Sequence, residues 1–288
     1  MTAHAKKSIF PYLVPPSDPY GLISCLDCVD EKGKPAQTAL IAERPFTLFI
    51  NDREVVTLMT IGDHLRWLAL GWACGQGLLQ NKTQLESVDI DDDLGVIVIR
   101  THTPVALAEK LKTRTVTSGC AQGTVFGSLM DGLEKVQLAQ GPELRLSDLY
   151  GLLKTITQTP SLYQEAGAIH GCVLACKGDP LIYMEDVGRH NAVDKIRGYV
   201  WEHEMPTHDK LMFTTGRLTS EMVIKTVQMG VPILVSRSGF TRWGVDLARE
   251  MGLTLIGRAR GRRFVVLSGL ERLIYDISPG DLTYDPGR

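Results

Sequence analysis

From Glu43 onward the chain alternates between short apolar runs and longer stretches whose apolar residues recur at helical spacing. RPFTLFIND and REVVTLMT carry the two-residue period of half-buried strands and meet at Asn51-Asp52, a pair suited to a hairpin turn. Gly62 to Leu79 then sets Leu65, Leu68, Ala69 and Trp72 on one helical face, with Gly75 and Gly77 predicting its end. GVIVIRT, residues 95–101, is a further strand. The string RTVTSGCAQGTVFGS breaks the pattern: small, polar and flexible residues surround Cys120, the composition of an exposed loop. Gly141-Pro142 follows as a domain boundary.

The second half is more regular. LRLSDLYGLLKTITQ predicts a helix with Ser147 as its cap, and HGCVLACKGDPLIYMEDV two strands about a Gly178-Asp179-Pro180 turn. RHNAVDKIRGYVWEHE, LTSEMVIKTVQMG and FTRWGVDLAREMG read as helices. KLMFTTG, VPILVSRS, LTLIG and RFVVLSG read as strands. Strand and helix alternate four times over about 120 residues, which argues an α/β fold with a mostly parallel, mixed sheet. The predicted organisation is a loosely structured lead-in over residues 1–42, a smaller α+β domain over 43–140 ending in the cysteine loop, and an α/β domain over 141–288.

A chain of 288 residues can bury a full core, and 44% hydrophobic with 22% charged residues places it among soluble globular proteins. The formal net charge of −2 offers no global field for nucleic acid or an anionic membrane, so any anion must be met by a local cluster. The N-terminus lacks the apolar stretch of a secretory signal, and no window reaches the length of a membrane span. A cytoplasmic protein is expected, whose six cysteines are read as thiols or ligands before disulfides.

The densest polar signal is EDVGRHNAVDK, residues 185–195. It follows a strand and opens a helix, gathering Asp186, Arg189, His190, Asn191, Asp194 and Lys195 around Gly188. A helix N-terminus preceded by glycine offers backbone N–H groups to an anion. A capped helix with a charged first turn is the plainer reading of the same composition. TGRLTSEMVIK (215–225) sets Gly216, Arg217 and Ser220 at a strand–turn–helix. Arg258, Ala259, Arg260, Gly261, Arg262 and Arg263 put four guanidiniums within six residues. That is either a local anion trap suited to phosphate oxygens or a solubilising hairpin tip.

Taken together, EDVGRHNAVDK and TGRLTSEM resemble the signature of the FdhD/NarQ family of formate dehydrogenase accessory sulfurtransferases, over residues 43 to 268. The resemblance implies a second domain similar in fold to cytidine deaminases, a three-layer arrangement. It implies a pocket for the guanine nucleotide ends of Mo-bis(molybdopterin guanine dinucleotide), built from the Asp186–Lys195, Gly216–Ser220 and Arg258–Arg263 stretches, with GDP or GMP as a surrogate ligand. It also implies a persulfide carried on Cys120, a cysteine desulfurase as donor, an apo formate dehydrogenase as client, and a homodimer. No metal of its own is expected. The chain departs from the family pattern at three places. Its loop reads Cys120-Ala121-Gln122-Gly123 where the family has two cysteines, Arg258 stands where an aromatic is common, and Glu165-Ala166-Gly167-Ala168 replaces a Thr-Gly-Gly string. A cofactor chaperone without sulfur transfer is therefore the alternative.

The deaminase kinship supplies a rival, a zinc deaminase with H-x-E and P-C-x-x-C. Ala192 stands where the general acid/base glutamate would be, and Gly216–Glu221 holds no cysteine, so that chemistry is excluded. Cys25-Leu26-Asp27-Cys28 is half of a zinc site at most, and is read as incidental. Cys172 and Cys176 are read as small core residues on one strand face.

Overall fold

The computed structural model describes residues 21–102, 133 and 136–277. The described residues open with a hairpin, β1 (Ile23–Val29) against β2 (Pro35–Ile41), within the stretch expected as a loose lead-in. The signal was the turn chemistry: Asp30 Oδ1 accepts the N–H groups of Lys32 and Lys34, closing the turn between the strands.

A four-stranded sheet follows in the order β4-β3-β6-β5. It comprises β3 (Arg44–Ile50), β4 (Arg53–Thr60), β5 (Leu85–Asp91) and β6 (Val96–Thr101). The β3–β4 hairpin turns at Asn51, whose positive φ suits asparagine. Alternation on β3 sends Phe46, Leu48 and Ile50 inward, each fully buried against Leu68, Ala69 and Trp72 of α1 (Leu65–Gly75). Burial of each such large side chain contributes about 1.5–3 kcal/mol. The helix stops at Gly75, at the glycines that predicted its end. Leu78 N–H donates to Ala73 O and Gly77, at φ 66°, takes the left-handed conformation of a glycine C-cap.

The larger layer is a six-stranded sheet in the order β13-β12-β11-β10-β8-β9. Its strands are β8 (His170–Cys176), β9 (Asp179–Asp186), β10 (Leu211–Thr214), β11 (Ile233–Ser236), β12 (Thr254–Arg260) and β13 (Arg263–Ser268). The sheet is mixed, with one adjustment to the expectation: parallel pairing is confined to the central β10-β11-β12. The cause is local, since β8–β9 and β12–β13 are hairpins and hairpins pair antiparallel. Alternate residues of the strands face two cores. Cys172, Leu174, Met212, Leu234 and Leu255 pack with α4 (Arg189–Glu202), α5 (Ser220–Gln228) and α6 (Arg242–Glu250) on one face. Val173, Ala175, Phe213 and Val235 pack with α2 (Leu146–Gln158) on the other. A short pair, β7 (Leu144–Arg145) with β14 (Leu273–Ile274), and the short α3 (Leu162–Ala166) complete the described residues. Ser147 lies inside α2 rather than capping it, with its hydroxyl 2.5 Å from Asp276 Oδ2.

The two sheet layers meet through α1 and α4, which approach backbone to backbone. A Cβ placed on Gly71 would lie 1.8 Å from Asp194 O, and one on Gly198 would lie 1.9 Å from Trp67 O. Only glycine at both positions permits this crossing.

Candidate functional site: an arginine rim at the ends of the parallel strands

In open α/β sheets the strand carboxyl ends leave a crevice where helix-bound loops diverge. Here β10 ends at Thr214 and β11 at Ser236, and each is followed by a loop of small residues before its helix. Side-chain hydroxyls shape both loops. Thr214 Oγ1 accepts Gly216 N–H at 3.0 Å, while Ser236 Oγ accepts Ser238 N–H and donates to Gly216 O. Leu218 and Phe240 bridge the loops in parallel fashion. Arg258 N–H donates to Ser238 O, tying β12 to the same edge.

Arginines crowd this edge. Arg217, Arg258, Arg260, Arg262 and Arg263 are exposed and Arg237 is half-buried. The Arg237 guanidinium lies over the Tyr163 ring at 5.7 Å and Arg258 over Phe240 at 5.6 Å, stacks that hold the cations in place without neutralising them. Arg260 Nε donates to Arg237 O at 3.3 Å. Among the described residues Arg217, Arg237, Arg258 and Arg260 have no acidic partner. The edge is therefore a fixed array of unneutralised guanidinium forks, fit for an anion with several oxygens.

His170 stands at the same edge, its Nδ1 3.4 Å from Thr215 Oγ1, and its pKa is lowered by burial and by Arg189, His190 and Arg217. His190 is buried with Nε2 3.1 Å from Glu221 Oε2. Burial lowers its pKa, with Glu221 opposing, so the imidazole is neutral near pH 7. Glu221 in turn is held below the usual carboxylate range by the adjacent His190 imidazole.

The N-terminus of α4 behaves differently from the expectation of open N–H groups. Asp186 Oδ1 accepts Gly188 N–H and Asn191 Nδ2, each at 3.1 Å, so a protein carboxylate already sits at the place an anion was expected. Asp186 Oδ2 accepts the Thr60 hydroxyl at 2.5 Å and the Lys195 ammonium at 2.6 Å. Lys195, fully buried, also pairs with Asp63 and donates to Glu185 O. Burial would lower its pKa, but Asp186 and Asp63 carry it above the usual value. One turn further on, Asp194 takes Lys225 Nζ at 2.5 Å and lies 3.9 Å from Arg197 Nη1. Arg197 Nη2 donates to Lys225 O.

Comparison with known proteins bears on this arrangement. The sequence profile of the FdhD/NarQ family matches residues 41–274. The chain belongs to the FdhD/NarQ family. Within that family it is 32% identical over 236 residues to the sulfur carrier protein FdhD of Shouchella clausii, covering 80% of this chain and 88% of the relative. It is 31% identical over 240 residues to that of Bacillus subtilis strain 168, covering 81% and 90%. The fold matches a crystal structure of a candidate formate dehydrogenase accessory protein from Desulfotalea psychrophila, with TM-score 0.71, 26% identity and coverage of 88% of this chain and 98% of that one.

As a member of FdhD/NarQ, the chain distributes its sequence-predicted residues in two ways. Arg217, Arg258, Arg260, Gly261, Arg262 and Arg263 are exposed at the strand ends or on the β12–β13 tip, and Gly216 forms the loop floor. A Cβ on Gly216 would lie 2.9 Å from Arg189 Cβ, so glycine is what lets Arg189 lie across it. Asp186, Asn191, Asp194 and Lys195 are instead buried, and each is engaged by protein partners. Ala259 and Ser220 are buried as well. Cys120 lies outside the described residues.

The other cysteines sort by geometry. Cys25 and Cys28 stand three residues apart on β1, so their Cα atoms are separated by about 10 Å of extended strand, beyond the roughly 7 Å a disulfide tolerates. Cys172 is buried, and burial pushes its thiol up to about 12. Cys176 is partly exposed with Sγ 3.6 Å from Asp209 Oδ2, which places it outside the core proper. Residues that sequence reading missed include Tyr163, His170, Glu221, Arg237 and Phe240. The signal was available in part: SRSGFT repeats the small-residue strand end and Thr-led helix start of TTGRLT. No helix among the described residues is long and apolar enough to cross a membrane.

Proposed function

We propose that the chain is a sulfur carrier for formate dehydrogenase. In this reading it accepts sulfur from a cysteine desulfurase as a persulfide on Cys120 and delivers it to a bis-guanine-dinucleotide molybdenum cofactor, whose nucleotide phosphates rest on the arginine rim. What supports the reading is the family match along residues 41–274, joined to an edge where four arginines lack acidic partners among the described residues. In the loading step the Cys120 thiolate attacks the outer sulfur of the donor's persulfide. A Cys120 sulfur–sulfur bond forms, the donor's breaks, and the donor leaves as its thiolate. Nothing in this exchange requires a second thiol. Arg217, Arg237, Arg258 and Arg260 bind and orient phosphate, and neutral His170 adds an uncharged polar group to the edge. In delivery the Cys120 sulfur–sulfur bond would break, Cys120 would leave as its thiolate, and the outer sulfur would pass to the bound substrate, whose metal would supply the two electrons that make it sulfide.

The experiment is replacement of Cys120. In cells lacking their own carrier, Cys120→Ala abolishes formate dehydrogenase activity while the purified variant binds GDP as tightly as the parent. The string Cys120-Ala121-Gln122-Gly123, with one cysteine where relatives are expected to have two, favours a second reading: a cofactor chaperone that transfers no sulfur. Full client activity with Cys120→Ala establishes that second reading and removes the first.

A further inference from the structure

We propose that Thr60, the last residue of β4, and Asp63, between β4 and α1, are positioning residues of the arginine rim. Both belong to the smaller, four-stranded layer, while the rim belongs to the larger one. The connection runs through Asp186. Its four donors divide evenly: Gly188 N–H and Asn191 Nδ2 on Oδ1, and the Thr60 hydroxyl and Lys195 ammonium on Oδ2. Lys195 is itself shared with Asp63, and Asn191 Nδ2 reaches back to Met59 O at 2.7 Å. The turn 186–188, which launches α4, is thus gripped from the neighbouring layer as firmly as from its own.

The first residue after that turn is Arg189, which lies across Gly216. Its Cβ and Cδ both lie 2.9 Å from where a Gly216 Cβ would stand, in the loop that also carries Arg217. A shift of the turn therefore displaces Arg189 against the Gly216 loop. Thr60 and Asp63 set the turn in two complementary ways. The Thr60 hydroxyl saturates the outer oxygen of Asp186. Asp63 shares the charge of Lys195 with Asp186, so the ammonium bridges one carboxylate from each layer. Buried groups so fully paired hold one geometry, because any alternative strands a donor or a charge.

The inference rests on the rim being a nucleotide site, and the test separates the two claims. Full-length Thr60→Val, Thr60→Ser, Asp63→Asn and Glu202→Gln are compared with the parent by GDP calorimetry and by hydrogen–deuterium exchange over residues 186–192. Glu202→Gln is the control: it weakens the contacts to Arg66 Nε and Trp67 Nε1, which join the same two helices away from the turn. Thr60→Val and Asp63→Asn are expected to bind GDP about five- to tenfold more weakly, the scale of about 1 kcal/mol in an equilibrium constant. They are also expected to speed exchange over 186–192. Thr60→Ser, which keeps the hydroxyl, restores both, and Glu202→Gln changes neither. Unchanged exchange in Thr60→Val and Asp63→Asn overturns the positioning role. A parent that binds no GDP, with exchange still accelerated in those two variants, removes the nucleotide reading of the rim and leaves the positioning role standing.

Discussion

Two sets of cationic side chains lie close together in this protein and do opposite things. Lys195, Arg197 and Lys225 are buried and each meets a carboxylate, from Asp63, Asp186 or Asp194. Arg217, Arg258 and Arg260, at the strand ends nearby, are exposed and meet none among the described residues. Three cations against three carboxylates make the first set neutral, as a low-dielectric interior demands. The second set is left charged in water, where a cation costs little and the proposed phosphate ligand would meet preformed donors. Motif strings rich in Asp, Arg and Lys thus contain both charges neutralised in the interior and charges left exposed, and only the second set enters the proposed ligand site.

That contrast breaks most readily from the buried side. Lys225→Met removes the ammonium from Asp194, leaving a buried carboxylate with only the more distant Arg197. Stability should fall by about 3–5 kcal/mol, measured by urea denaturation. A loss below 1 kcal/mol would show that water reaches Asp194. Next is Gly198→Ala, which sets a methyl against Trp67 O and forces the α1–α4 crossing apart. Overpacking of this kind costs about 1–3 kcal/mol, and thermal unfolding reads it.

On the exposed side the expected signature is inverted. Arg260→Ala and Arg262→Ala should leave folding stability within about 0.5 kcal/mol, as surface substitutions do. The same changes should weaken GDP binding by about 1–3 kcal/mol each where a charge-assisted hydrogen bond is lost. ADP should bind more weakly than GDP to the parent. Calorimetry giving equal affinities for GDP and ADP would leave the rim as a phosphate trap with no base preference.

The smallest effect concerns His190, which sits between the two sets. Its folded pKa is depressed by burial, so the unfolded chain binds its proton first as pH falls. The stability it contributes is complete above the ordinary value of about 6.5 and is lost as pH drops through the depressed folded value. His190→Gln should flatten the fall in melting temperature below pH 6.5. An unaltered slope would place the pH dependence in His64 and His170, which are depressed in the same direction.

Much of the scaffold was legible because its periods are clean. The β3–β4 hairpin at Asn51-Asp52, the β8–β9 hairpin and the helices α4, α5 and α6 all fall where hydrophobic spacing put them. The β8–β9 turn itself lies at Lys177-Gly178, both at positive φ, so Asp179-Pro180 already belongs to the strand. The β1–β2 hairpin was hidden by composition, since ISCLDCV is mostly exposed and carries little of the alternation a half-buried strand shows. The site divides along a similar line. Exposed arginines in a tight cluster can be read from sequence, whereas the commitment of Asp186, Asp194 and Lys195 to the interior depends on Thr60, Asp63 and Lys225, which lie 30 or more positions away.

The measurement that bears most directly on the sulfur-carrier reading is intact-protein mass after incubation with a cysteine desulfurase and cysteine. The account predicts a gain of one sulfur atom on the parent, reversed by dithiothreitol and absent from Cys120→Ala. The Cys25→Ala, Cys28→Ala and Cys176→Ala proteins should still take it up. A parent that gains no sulfur, or a Cys120→Ala protein that gains as much as the parent, would contradict it.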